Sequence, residues 1–251
     1  MKMIDHYLIR EQNLSHAWAR AFLKLMNPGI NEIQPLIIII DGFEGNIPFE
    51  DSDIRESVDD SLKGNGMASC HTVANTIFPK SLWNPNIDRE VLYKRYINIL
   101  GRLRKCSKNK YGLYFERLIN FGPETSKVNQ IEHIINTYLG GNHRRSALLA
   151  SVINPHEDHT NQRQRGFPCL QQVSLSPFGN EGLSITGIYT TQHVYERAYG
   201  NYLGLCRLGH FIAHEIGLEL KQMKCFTSHA KLGNITKNSL SDLAQRMKGI
   251  L

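Results

Sequence analysis

The sequence predicts an α+β fold, in which helices and strands follow one another without strict alternation. Apolar residues recur at helical spacing in segments such as 14–26 and 203–216. A continuous apolar run covers 36–40, and residues 183–191 alternate between apolar and polar, as strands do. The chain has 251 residues and a hydrophobic content of 41%, which suits one core. We therefore expect residues 1–251 to form a single domain.

The first half begins with a helix over 14–26, which the sequence Asn27-Pro28-Gly29 ends. The run over 36–40 is rich in isoleucine and predicts a strand that is buried on both faces. Residues 44–66 are polar and contain glycines, so we predict irregular structure there. A second helix is predicted over 89–105, and a third over 127–139, where two glycines end it.

In the second half, strands are predicted over 146–153, 171–175, 183–191 and 223–228. The clearest helix covers 203–216 and has Gly217 just beyond its end. A final helix is predicted from residue 237.

Composition excludes several classes of protein. The net charge of +6 favours an anionic partner but does not by itself indicate nucleic-acid binding. The five cysteines form no CxxC pair, which argues against a disulfide framework or a zinc ribbon and favours a reducing, cytoplasmic location. We find no apolar run of roughly 18 residues and therefore expect no membrane span.

Three features carry possible chemistry. Cys169 follows Pro168 at the start of a predicted strand, and a cysteine there is either a small buried hydrophobe or a nucleophile. The pair Arg144-Arg145 suits a phosphate group, although a solvated turn has the same sequence. Asn201 either caps the following helix or pairs with the edge of a base, because its amide both donates and accepts.

In this order, these features resemble the thymidylate synthases, most closely the short archaeal type. The resemblance covers residues 128–233, and weaker likeness extends to Tyr111-Gly112 and Arg117. Four motifs carry it: the helix 129–135 followed by Arg144-Arg145, then Pro168-Cys169, then the strand and helix over 188–217 that include Asn201, and Ser228-His229-Ala230. Residues 1–110 form a divergent N-terminal part.

The resemblance implies a transferase that adds Cys169 to C6 of a pyrimidine nucleotide such as dUMP and then methylates or hydroxymethylates C5. It implies that Arg144 and Arg145 bind the 5′-phosphate across a homodimer interface formed sheet to sheet. Asn201 would recognise the uracil edge and His229 a sugar hydroxyl. Tyr111 and Arg117 would also lie on the substrate side. The implied one-carbon donor is 5,10-methylenetetrahydrofolate.

The chain differs from the family pattern at positions where the family binds the phosphate of the nucleotide and the folate. Thr190-Thr191 stands where the family has an Arg-Ser pair, and His193 stands in place of an aspartate that helps to hold folate. Arg197 is a candidate replacement for the lost cation. For the family's upstream catalytic glutamate, Glu116 and Glu132 are the candidates. Two alternatives therefore stay open: a nucleotide-binding module without catalysis, and folate-independent hydrolysis or base exchange.

Two histidine patterns suggest metal binding only weakly. His156 and His159 flank two acidic residues in a polar stretch, where a solvated loop is the expectation. His210 and His214 stand four residues apart on the predicted helix, but no third ligand is evident. We therefore expect no metal site.

Overall fold

The computed structural model describes residues 7–161 and 167–251, which form a mixed α+β structure. The strands are β1 (Tyr7–Glu11), β2 (Glu32–Ile33), β3 (Leu36–Ile40), β4 (Phe43–Glu44), β5 (Ile47–Pro48), β6 (Leu149–Ser151), β7 (Leu170–Phe178), β8 (Gly182–His193) and β9 (Glu219–Lys231). The helices are α1 (Leu14–Met26), α2 (Ser52–Gly64), α3 (Cys70–Ile77), α4 (Arg89–Leu103), α5 (Tyr114–Ile119), α6 (Gln130–Leu139), α7 (Pro155–Asp158), α8 (Tyr199–Ile216) and α9 (Ser241–Ile250).

The main sheet is mixed, with strand order β1-β3-β9-β8-β7-β6 and with β2 paired to the end of β9. The β1–β3 and β8–β9 pairs are parallel, and the other neighbours in this order are antiparallel. One row of paired residues crosses the whole sheet on its inner face: Ile9, Ile38, Cys225, Gly187, Val173 and Ala150. The side chains of this row are buried because α1 and α8 pack on this face.

The neighbouring row points to the opposite, outer face of the sheet: Leu8, Ile37, Phe226, Ile188, Gln172 and Ser151. Leu8 is 60% exposed and Phe226 is 37% exposed. The sheet thus has one covered face and one open face, which carries apolar side chains in this row from β1 to β8 and polar ones on β7 and β6.

Most of the predicted elements are confirmed. The bounds of α1 agree with the prediction, and Asn13 caps it by accepting from the backbone of Ser15 at 2.8 Å. The second and third predicted helices correspond to α4 and α6, and the helix over 203–216 begins four residues earlier, at Tyr199. Gly217 ends α8 with φ of 71°, which is the left-handed conformation expected of a terminal glycine.

Other predictions are wrong. Residues 44–66 are not irregular, because they form the β4–β5 hairpin and α2. Ile54, Val58 and Leu62 bury one face of α2 at a spacing of four residues. The strand β3 is not buried on both faces, since Ile37 and Ile39 lie on the open face.

The strand over 146–153 shortens to β6 because a 3₁₀ turn precedes it, and the final helix begins only at Ser241. Conversely, β7, β8 and β9 are longer than predicted. The prediction also missed β1, α3 and α5, which are short.

The hydrophobic core is continuous across the described residues. Trp18 and Phe78, from the first 110 residues, join the same cluster as Phe211 and Met223 from the second half. None of the described helices has the length and hydrophobicity needed to cross a membrane.

Candidate functional site

Cys169 lies at one end of the sheet, immediately before β7. Its carbonyl accepts a hydrogen bond from the Thr190 backbone N–H at 3.1 Å, and the next residue, Leu170, pairs with Tyr189 on β8. The Cys169 side chain is half-buried. This placement confirms that the cysteine stands at the start of a strand, and it holds the thiol beside the last residues of β8.

Asn201 lies opposite the same end of β8. Two close packings fix how α8 lies on this strand. A Cβ at Gly187 would be 2.6 Å from Leu205, and a Cβ at Gly209 would be 3.1 Å from Ile185. Four residues of an α-helix rise about 6 Å, and two residues of a strand rise about 6.7 Å. Every fourth residue of α8 on this face therefore lies beside every second residue of β8.

Continuing this correspondence by one more helical turn places Asn201 beside Tyr189. Asn201 is the third residue of α8 and therefore does not cap it, so the capping interpretation is wrong. The residue is only 5% exposed, and its side-chain amide has no hydrogen-bond partner among residues 7–161 and 167–251. A ligand with matching donors and acceptors would give this amide a hydrogen-bond partner.

Among the described residues, Arg197 is the cation whose charge acts on the thiol. It lies on the π-helical turn Val194–Ala198 that joins β8 to α8, and Trp18 fixes this turn by donating from its Nε1 to the Val194 carbonyl at 2.8 Å. Burial raises the pKa of the Cys169 thiol, and the charge of Arg197 opposes that rise. The Arg197 side chain forms no ion pair within the described part of the chain. It is therefore available to an anionic ligand.

Two tyrosines that the sequence analysis missed complete the surroundings of Cys169. The Tyr114 hydroxyl lies near the backbone amides of Cys169 and Leu170, and burial raises its pKa. Tyr189 is fully buried and, within the described residues, its hydroxyl has no hydrogen-bond partner.

Tyr111, which the sequence predicted as a substrate contact, is 36% exposed, and the ammonium group of Lys110 lies over its ring. Tyr114 is one turn further along the chain and had no distinguishing signal.

His229 and His193 lie at the same end of the sheet. The register pairs His229 with Thr191, and the next residue of β9, Ala230, is the one buried in the core. His229 is exposed, so a ligand can reach it. The imidazole of His193 lies 3.7 Å from the Glu196 carboxylate, which also accepts from the Asn234 backbone at 2.8 Å.

Arg144 and Arg145 are not brought to this site within one chain. They precede β6, in which Leu149 pairs with Ser174 on the antiparallel neighbour β7. Ser174 is five residues from Cys169, or about 17 Å along the strand, and the arginines lie still further along in the same direction. Both are exposed, and neither has an ion-pair partner in the described ranges.

The remaining acidic and basic candidates are engaged elsewhere. Arg117 is buried and pairs with Glu157 at 2.8 Å and with Asp158 at 3.2 Å. Glu116 pairs with Arg104, and Glu132 pairs with Arg89 at 2.8 Å. The two glutamates therefore make their contacts away from Cys169, whereas the Arg117 guanidinium also lies 5.6 Å from the ring centre of Phe167, which packs on Tyr114.

The structure also explains the two histidine patterns. Among residues 7–161 and 167–251, no group of three or more potential ligands could hold a metal ion. His210 and His214 both pack edge-on against Trp83, with ring centroids 5.1 and 5.5 Å apart. Their spacing on α8 serves this aromatic packing.

No known protein-family model and no curated protein sequence matches this chain.

The chemistry that the site can perform follows from its parts. Cys169 is a half-buried free thiol, the charge of Arg197 acts on it, and Asn201 is a buried residue of the facing helix whose amide has no partner in the described residues. A planar ligand with an anionic group and an imide edge, such as uracil, would satisfy both groups while it lies against the thiol.

Proposed function

We propose that this chain is a thymidylate synthase-like enzyme whose Cys169 attacks C6 of a uracil nucleotide such as dUMP. One observation carries the proposal: the start of β7, the turn after β8 and the first turn of α8 bring Cys169, Arg197 and Asn201 to one end of the sheet. Arg197 and Asn201 have no partner in the described protein, and a nucleotide offers one to each.

In the proposed reaction, the Cys169 thiol first loses its proton to solvent water. The sulfur electron pair then forms a bond to C6, and the electrons of the C5–C6 double bond move towards C5 and the C4 carbonyl oxygen. The Asn201 amide donates to that oxygen and accepts from the N3 hydrogen. Arg197 favours the thiolate and binds the nucleotide phosphate, and His229 contacts a sugar hydroxyl.

The next step in the related enzymes uses 5,10-methylenetetrahydrofolate as the one-carbon donor. The residues of this chain fit that group poorly, because His193 replaces the folate-binding aspartate and the nearby Glu196 is held by His193 and the Asn234 backbone. We therefore derive no step through folate. If a one-carbon donor binds, transfer of its methyl or hydroxymethyl group to C5 would follow the C6 adduct, and hydrolysis or base exchange is the alternative without folate.

A homodimer would complete the site. Within one chain, Arg144 and Arg145 are exposed at the opposite end of the sheet from Cys169. The open face presents Leu8, Phe226 and Ile188 in one row, which is an apolar surface of the kind that two copies bury against each other. A two-fold axis through this face reverses one sheet relative to the other. It would bring the arginine pair of one copy towards the Cys169 end of its partner.

A second function, nucleotide binding without catalysis, has its own support. Burial raises the pKa of the Cys169 thiol, so the protonated, unreactive form is favoured in the free protein. Neither Glu116 nor Glu132 stands beside Cys169 as a base. In this case the chain would act as a sensor or partner subunit.

The experiment that separates these functions uses 5-fluoro-dUMP with the wild type and with Cys169→Ala, with and without methylenetetrahydrofolate. Intact-mass measurement of a covalent adduct is the readout. A folate-dependent adduct that the alanine variant lacks supports one-carbon transfer, and an adduct without folate dependence supports the alternative chemistry. Tight binding without an adduct supports the binding module, and absence of binding contradicts both functions.

A further inference from the structure

A second pocket lies on the face of α8 that points away from the sheet. It has a volume of about 110 Å³ and is lined by Arg207 and His210 of α8, by Phe78, Lys80 and Trp83, and by the β4–β5 hairpin. Asn201 and Leu205 face the sheet on the opposite side of the helix. The pocket is therefore separate from the surroundings of Cys169.

Close packing of α3 on α8 builds one wall of this pocket. A Cβ at Gly200 would be 2.7 Å from the Cys70 carbonyl, and a Cβ at Gly204 would be 2.9 Å from the Ala74 carbonyl. The two glycines, one turn apart, let the backbones approach. This approach brings His71 of α3 next to Arg207.

Arg207 is a half-buried cation without a counter-ion. Its guanidinium donates to Asn75 at 3.2 Å and to the Nδ1 of His71, and it pairs with no carboxylate in the described residues. A guanidinium has five N–H donors, so three stay free. The acid that lines the pocket, Glu50, is already bound by Arg55 at 2.9 Å and by Tyr199 at 2.8 Å.

The other lining groups add to the positive potential. Lys80 lies at the rim, and its charge, together with burial, lowers the pKa of His210. Burial and the charge of Arg207 likewise lower the pKa of His71. Burial is the larger cause of both pKa shifts, and the neighbouring cations act in the same direction. On the apolar side stand Phe78 and Trp83, and the Trp83 indole N–H is buried without an acceptor in the part of the chain that the structure describes.

We propose that this pocket binds the phosphate group of a small phosphorylated metabolite, held by Arg207 and Lys80. The cavity is larger than a single water molecule needs and has room for a phosphate group. An adjoining cleft of about 290 Å³, which shares Glu50 and His71 and includes Ser52 and Asp59, would receive the rest of the ligand. Its carboxylates and hydroxyl suit a hydroxylated molecule, such as a sugar or polyol phosphate.

The test is calorimetric titration with inorganic phosphate and with glycerol 3-phosphate. The wild type should bind both saturably, and Lys80→Gln and Arg207→Gln should each weaken binding by roughly tenfold or more. Lys80 is exposed, so its variant keeps the test valid if Arg207→Gln fails to fold. Lys94→Gln, on the exposed face of α4, is the matched control and should bind like the wild type.

Arg197→Gln removes the cation of the proposed nucleotide site, so phosphate binding that this variant keeps and Lys80→Gln loses belongs to the pocket beside α8. Loss of phosphate binding in Arg197→Gln, or equal affinity in Lys80→Gln and the wild type, would overturn the assignment. So would the absence of saturable binding at millimolar phosphate, or acetate binding as tightly as phosphate.

Discussion

At the scale of single residues, the site depends on how burial and charge act on Cys169. A thiol away from water keeps its proton more strongly, and Arg197 is the group that counteracts this effect. Arg197 lies on the π-helical turn Val194–Ala198. Trp18 of α1 holds the first residue of this turn by donating a hydrogen bond to the Val194 carbonyl. We therefore expect Arg197, which the sequence suggested only as a replacement for a lost cation, to affect the reactivity of Cys169.

The first prediction concerns the pH dependence of Cys169. Because its pKa is raised, alkylation by iodoacetamide should increase with pH and reach half of its maximum rate above the pH found for a free thiol. Arg197→Gln removes the opposing charge and should slow alkylation near pH 8 by roughly three- to tenfold. The rate is measured by mass spectrometry of the peptide that contains Cys169. Lys94→Gln is the control, and an unchanged rate in Arg197→Gln would contradict the assignment.

The second prediction concerns Asn201. In Asn201→Asp the side chain only accepts hydrogen bonds when it is ionised, so it no longer donates to the C4 oxygen of uracil. We expect dUMP to bind roughly tenfold more weakly or worse, and dCMP to gain relative to dUMP. Calorimetry measures both affinities, with Asn201→Ala as a neutral comparison. Equal dUMP affinity in the wild type and both variants would exclude contact with the base.

At the scale of elements, α8 organises the molecule, because it holds Asn201 on one side and Arg207 on the other. Its glycines allow close packing on both sides. Gly209 lets α8 approach the sheet, and Gly200 and Gly204 let α3 approach α8. Periodicity predicted the second half of α8, whose apolar positions are regular. It missed the first turn, which continues from the π-helical turn without a capping residue.

The same contrast explains which parts of the fold the sequence predicted. Long segments with a clear period, such as α1, α4 and α8, were predictable from their own residues. Short elements such as α3 and β1 depend on neighbours far along the chain: α3 packs on α8, and β1 pairs with β3. The candidate site followed the same rule. Cys169 and Asn201 could be named as candidates from the residues next to them in the sequence. Tyr114 and Tyr189 lie near Cys169 only because the sheet and α5 meet there.

The third prediction tests the packing of α3 on α8. Gly200→Ala would place a methyl group 2.5 Å from the Val73 Cβ and should destabilise the fold by about 1–3 kcal/mol. Gly101→Ala is the matched control, because this helical glycine has nothing within 4 Å of the added Cβ. It should stabilise the fold by about 0.5–1 kcal/mol through helix propensity. Urea unfolding measures both, and equal effects would contradict the close packing.

At the scale of the whole molecule, the sheet divides the structure into a covered side and an open side. The covered side contains the core and supports the candidate site at its end. The open side carries a row of apolar side chains that runs from Leu8 through Ile37 and Phe226 to Ile188. An exposed surface of this extent is typical of an interface, and a second copy would also supply the arginine pair.

The fourth prediction tests this interface. Leu8→Glu and Phe226→Glu place a charge on the open face and should shift the protein from dimer to monomer in analytical ultracentrifugation. Leu139→Glu is the matched control, since Leu139 on α6 is 57% exposed, close to the 60% of Leu8, and lies away from the sheet. A monomeric wild type, or a dimer that all three variants retain, would contradict a sheet-to-sheet dimer.

The central claim is that Cys169, among the five cysteines, is the nucleophile that attacks a pyrimidine nucleotide. The most direct measurement is peptide mapping by tandem mass spectrometry after incubation with 5-fluoro-dUMP and methylenetetrahydrofolate. The account predicts the fluoropyrimidine on the peptide that contains Cys169, in the wild type and in Cys106→Ser, which removes the exposed cysteine. A fluoropyrimidine found only on Cys106, or on no cysteine, would contradict it.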